Sequence, residues 1–154
     1  ELKEILPQMF DIMYRHRGIG LAGVQAGLLQ RVIVANITGD RKQKDEEKVF
    51  INPEIVAKSG EMREPEGCLS LPGIDATLVR SDSVTVQVTN LEGKRQEFEA
   101  TGLYAKLFQH EMDHLDGVLL LDKMSAADKK QWIPILRELE RDFKKEKLAR
   151  KDSA

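Results

Sequence analysis

Residues 109–117 read Gln-His-Glu-Met-Asp-His-Leu-Asp-Gly. His110 and His114 stand four positions apart, so a helix places both imidazoles on one face, about one turn from each other. Glu111 lies between them. Two neutral imidazole nitrogens at this spacing suit a divalent metal, and the adjacent carboxylate can manage the proton of a water held at such a site. The plain alternative is a pair of surface or core histidines with no metal. The chain has only three histidines, and a composition estimate puts chance occurrence of the His-Glu-x-x-His pattern below ~1% of such chains. The metal reading is therefore the stronger one. His16, set between Arg15 and Arg17 at a predicted helix end, reads as a solvated helix-terminal residue.

A four-coordinate catalytic site needs a third protein ligand and an open position. No third histidine follows in the spacing of the longer zinc-protease signatures. The best candidate is the single cysteine, in Glu66-Gly-Cys-Leu-Ser70. A lone cysteine is more often a small buried hydrophobe. Here a preceding glycine permits a tight backbone, the histidine pair still needs a partner, and a thiolate binds soft or borderline divalent ions strongly. Cys68 as a nucleophile ranks lower, because a metal-bound thiolate has its lone pair engaged. A further segment, Gly18-Ile-Gly-Leu-Ala-Gly-Val-Gln25, lacks the strand-before, helix-after setting of a dinucleotide loop and has no P-loop lysine, so no dinucleotide is expected. It reads either as a flexible glycine-rich turn or as backbone brought close to a substrate, with Gln25 offering an amide donor.

The elements that must carry these groups follow from periodicity. Leu2, Ile5, Leu6, Met9 and Met13 recur every three or four residues, predicting an amphipathic helix over 2–16 with Pro7 near its first turn or at a kink. Gly18-Ile-Gly20 then ends the helix and opens a loop. Strands are expected at 31–35, 49–51, 54–58, 77–80 and 83–89, the last from alternation of Val84, Val86 and Val88 with polar residues. A charged connection covers 39–48. A turn at 90–93 leads into a strand at 96–100. A helix over 103–115, stopping near Gly117, carries the two histidines. A last helix starts after Ser125 as N-cap, with Trp132, Ile135, Leu136, Leu139 and Phe143 on one face, and Pro134 is expected to bend or interrupt it. Strands in the middle and helices at the ends favour an α+β class.

Composition bounds the rest. The chain has 154 residues, 41% apolar and 32% charged, the balance of one globular domain with a single core. No apolar run approaches the ~18–20 residues that span a bilayer, so no membrane partner is expected. A net charge of −2 argues against a protein built mainly for nucleic acid. One cysteine excludes an internal disulfide, which fits a reducing compartment. Residues 137–151 hold seven Lys/Arg and four Asp/Glu, which reads as a solvated helix face with a frayed tail over 144–154, or as a weak contact with an anionic surface such as RNA. No secretory signal is visible.

Taken in order and spacing, Gly18-Ile-Gly-Leu-Ala-Gly-Val-Gln25, Glu66-Gly-Cys-Leu-Ser70 and Gln109-His-Glu-Met-Asp-His-Leu-Asp-Gly117 resemble the three signature motifs of peptide deformylase. Asn52-Pro53 and Leu71-Pro-Gly-Ile74 also look like that family. Gly23 stands where the family commonly has alanine, a small-for-small exchange expected to leave Gln25 in place. Arg63-Glu-Pro65 is more polar than the matching stretch of several relatives, where an apolar residue helps line the substrate pocket. The resemblance implies one catalytic domain over 1–154, without the family's N-terminal extended segment, and antiparallel strands packed around the metal-binding helix. It implies a metal-dependent hydrolase that removes the formyl group from the formyl-methionine of nascent peptides, releasing formate.

By resemblance, Cys68, His110 and His114 hold one divalent ion, physiologically Fe²⁺ with Zn²⁺, Ni²⁺ or Co²⁺ substituting, although ligand chemistry alone names Zn²⁺ first. Glu111 manages the proton, while the Gln25 side chain and the Leu69 backbone N–H stabilise the developing oxyanion. Backbone near Ile19, Gly20 and Gly67 pairs with the substrate as an added strand, and Ile19, Leu103 and Leu107 line a pocket for its methionine. Glu66 and Asp113 are expected either to orient the ligands or to serve as structural groups. The setting is a bacterial cytoplasm or an organelle, with the ribosome surface as a partner for the basic C-terminal helix. Two readings compete: a zinc endopeptidase using the same histidines, disfavoured by Cys68 as third ligand, and a metal-holding or ribosome-associated binding protein, disfavoured by the presence of Glu111 and Gln25.

Overall fold

The apolar stripe at the start of the chain forms helix α1 (Leu2–Arg15), which buries Leu6, Met9, Phe10 and Met13. Pro7 falls in its second turn and the helix continues past it. The computed structural model describes residues 1–68 and 70–152. These fall into two compact units, one formed by residues 1–64 with 79–119 and the other by residues 65–78 with the chain from Leu120 onward.

In the first unit α1 is followed by β1 (Gly20–Ala22), where a loop was expected, and by a single 3-10 turn over Gly23–Ala26. Next come β2 (Val32–Ala35) and β3 (Lys48–Ser59). The two short strands expected at 49–51 and 54–58 are one strand, kept continuous through Asn52-Pro53 by irregular register against its neighbour; Asn52 takes φ 47°. Such a bulge absorbs a proline that a regular ladder would reject. After β4 (Met62–Cys68) and β5 (Leu71–Arg80), which pair as a separate two-stranded sheet, come β6 (Ser83–Thr89) and β7 (Arg95–Thr101). The main sheet runs β1-β2-β3-β6-β7, antiparallel throughout, so β1 is an edge strand. Along β6 the predicted alternation holds: Val84, Val86 and Val88 are buried.

Helix α2 (Gly102–Leu115) lies against this sheet. Its anchor is Phe108, fully buried, with ring centroids 4.8 Å from Phe50 and 5.7 Å from Phe98. Aromatic rings at these separations add specific edge contacts to their buried area. The charged connection after β2 is held from within by Asn36, also fully buried, whose Nδ2 donates to Tyr14 Oη at 2.8 Å and to the carbonyls of Asp40 and Gln43 at 3.1 Å.

The second unit has its own core of Ile74, Ala76 and Leu78 from alternate positions of β5, with Cys68, Leu120 and Met124. A short α3 (Leu120–Lys123) precedes α4 (Ala126–Asp152). The predicted N-cap is present: the Asp128 N–H donates to Ser125 Oγ at 3.1 Å. Trp132, Ile135, Leu136 and Leu139 pack on the core as expected, but Phe143 is 65% exposed and does not join them. Pro134 does not interrupt α4. It sits at an exposed position, and Trp132 before it and Ile135, Leu136 and Leu139 after it pack on the core and hold the helix together. The helix runs to Asp152.

Candidate metal centre

Helix α2 sets the site's spacing. His110 and His114 face the same way one turn apart, and their Nε2 atoms approach to 3.2 Å. Two ligands at about 2.0–2.1 Å in a tetrahedral shell would sit about 3.3 Å apart, so the imidazole pair already has a ligand-to-ligand separation. Cys68 ends β4. The ligand atoms of Cys68, His110 and His114 all lie within 4.8 Å of one another, and this is the one such group found among the described residues. One thiol and two imidazoles make a donor set that a borderline divalent ion fits.

Around the histidines the first unit supplies several polar groups. Glu111 is 5% exposed. A Cβ built on Gly20 would lie 3.1 Å from Glu111 Oε1 and 3.2 Å from Leu107 Cδ1, so β1 backbone passes directly over the carboxylate and the Leu107 side chain. Gln25 lies in the 3-10 turn after β1, and its Oε1 accepts the Ala22 N–H at 3.0 Å. That bond turns the side-chain N–H donors away from Ala22. A Cβ at Gly23 would come within 2.8 Å of the Gln30 carbonyl oxygen, so this loop is closed down around its glycine.

Three comparisons with known proteins agree. A family model described as polypeptide deformylase matches residues 1–130. The chain belongs to the polypeptide deformylase family. A peptide deformylase of Thermodesulfovibrio yellowstonii is 48% identical over 125 residues, covering 81% of this chain and 75% of that protein. One from Acidobacterium capsulatum is 41% identical over 141 residues, 92% of this chain and 82% of that one. Among solved structures, the peptide deformylase of Plasmodium falciparum superposes with a TM-score of 0.89 at 41% identity, over 93% of this chain and 84% of that chain. Membership makes this a metal-dependent hydrolase that takes the formyl group from the N-terminus of new polypeptides, and it bears out the expected α+β class.

The remaining site residues named from the sequence stand as follows. Ile19 is partly buried against the main core, and its carbonyl accepts the Asn36 N–H at 2.9 Å. Leu107 is 4% exposed, whereas Leu103, in the first turn of α2, is 44% exposed. In the second unit, Glu66 is buried and a Cβ on Gly67 would lie 3.1 Å from Asp75 Oδ1. Leu69 lies outside the described residues. Asp113 Oδ2 accepts a hydrogen bond at 2.7 Å from Arg80 Nη1, whose side chain is 4% exposed. Sequence reasoning missed two groups, Arg80 and Gln109. Gln109 is 5% exposed, and its signal in the sequence was its place at the head of the motif over residues 109–117, where it had been given no role.

Proposed function

We propose that this family member deformylates nascent peptides with Cys68, His110 and His114 as ligands of one Fe²⁺ ion and Glu111 as its proton carrier. The observation that carries the reading is the convergence of the three ligand atoms within 4.8 Å. When bound, a divalent ion supplies Lewis acidity and brings the pKa of a water at its open position toward neutrality. Glu111 accepts the proton of the attacking water and passes it to the departing amine nitrogen as the formyl C–N bond breaks, leaving formate and a free N-terminus.

The developing oxyanion is met by the Gln25 side-chain amide and the Leu69 backbone N–H. Loss of one such donor typically costs ~3–4 kcal/mol of barrier. Substrate is held by its backbone, since only its first residue is constant. The edge position of β1 supports pairing of an extended peptide alongside Ile19 and Gly20, with Gly67 contributing further backbone. Ile19, Leu107 and Leu103 form the apolar contact for the methionine side chain. The run over residues 137–151 of α4, with seven Lys/Arg against four Asp/Glu, serves as a contact for the ribosome surface. The setting is a bacterial cytoplasm or an organelle that starts its proteins with formyl-methionine.

The test is anaerobic purification, metal analysis and an assay of formate release from formyl-Met peptides. The expected result is one iron per chain and formate release that a chelator abolishes. Metal-loaded protein that releases no formate overturns the proposal. Sedimentation with ribosomes, lost as salt rises, checks the role given to α4.

A further inference from the structure

We propose that Gln109 is a positioning residue: its grip on the backbone of Ser81 sets the rotation of α2 about its own axis and so places His110, Glu111 and His114. The inference rests on the reading above for what those three residues do.

The Gln109 amide behaves as a strand neighbour would. Its Nε2 donates to the Ser81 carbonyl at 2.8 Å, while its Oε1 accepts the Ser81 N–H at 2.9 Å. The second hydrogen on Nε2 goes to the Ala105 carbonyl at 2.9 Å, one turn back in the same helix. Both amide hydrogens and the oxygen are thus used, and the group is 5% exposed. Because one planar amide ties the helix to itself and to both backbone groups of Ser81, its orientation is fixed. Four residues on, Asp113 takes the guanidinium of Arg80, the residue preceding Ser81, at 2.7 Å. The line 109/113 of α2 is therefore fastened twice to the chain leaving β5. The line 110/114 stands next to it, about 100° around the helix.

Leverage makes the fastening matter. An imidazole Nε2 reaches about 6.5 Å from a helix axis whose Cα radius is about 2.3 Å, so a turn of about 10° moves it by about 1 Å. Errors of that size cost roughly 10²-fold where reacting groups must be aligned. A purely structural Gln109 would satisfy the Ser81 backbone groups without affecting the neighbouring line.

Two variants separate the possibilities. Gln109→Met keeps length and loses all three bonds. Gln109→Asn keeps the amide but is too short to span, and takes over if the first variant does not fold. Each is loaded with Co²⁺ and read by its visible absorption spectrum, by the rate of metal loss to a chelator, by kcat and KM on a formyl-Met peptide, and by Tm. The expected result is a kcat lowered about 10–100-fold with KM within about threefold, an altered Co²⁺ spectrum and faster metal loss. A spectrum, metal-loss rate and kcat all within twofold of the parent, whatever the Tm, overturn the proposal. If the parent itself binds Co²⁺ but releases no formate, the functional reading fails, while the spectrum and metal-loss rate still decide the role of Gln109.

Discussion

Gly20→Ala is a small change at a crowded place. Gly20 lies in the extended backbone of β1, so alanine meets no conformational penalty and only space is tested. The new Cβ would start 3.1 Å from Glu111 Oε1 and 3.2 Å from two atoms of Leu107, where ordinary contact begins at 3.4 Å. The carboxylate must therefore retreat by about 0.3 Å. Neither neighbour has slack in solvent, since Glu111 is 5% and Leu107 4% exposed. If a misplacement of about 1 Å costs about 10²-fold, a shift of about 0.3 Å scales to a roughly fourfold loss. Overpacking of one methyl costs about 1 kcal/mol at the low end of its range, or about 2–4 °C in Tm for a chain of this size. Steady-state formate release and a thermal melt measure both quantities. The reasoning predicts a fall in kcat of roughly fourfold with a small drop in Tm. An unchanged kcat together with an unchanged Tm refutes it, because the space around Gly20 would then be loose. A rise in KM alone would also refute it, by showing that the methyl obstructs substrate and leaves Glu111 where it was.

Glu111→Ala should retain metal while losing nearly all turnover; metal analysis beside the formate assay checks this, and a near-normal rate removes Glu111 from the proton path. Cys68→Ser should weaken or change metal retention, measured by competition with a chelator, and binding as tight as the parent's means that the third ligand lies elsewhere. Asn36→Ala removes a fully buried amide that holds Tyr14, Asp40 and Gln43. It should cost about 3 kcal/mol in denaturant unfolding while turnover per folded molecule stays at the parent level; a loss below about 1 kcal/mol would show that water replaces the amide.

Much of this molecule is local and therefore legible in one dimension. The stripe of α1, the alternation of Val84, Val86 and Val88, the Ser125 cap and the helical register of His110 and His114 depend only on residue type and spacing, and the structure has them as read. The motifs also carried the family. What spacing cannot encode is which neighbour an element meets. The charged, glycine- and proline-bearing stretch of β4 becomes a strand because β5 supplies its partner. The continuity of β3 past Pro53 comes from its bulged pairing, and that of α4 past Pro134 from packing that outweighs one lost hydrogen bond. Phe143 and Leu103 have the apolar character of core residues, yet no partner element covers them fully. The approach of Cys68 to the histidine pair, and the clasp of Gln109 on Ser81, join residues far apart in the chain. A side chain's chemistry is set by its own atoms, but its partners are set by how strands and helices fold back on one another.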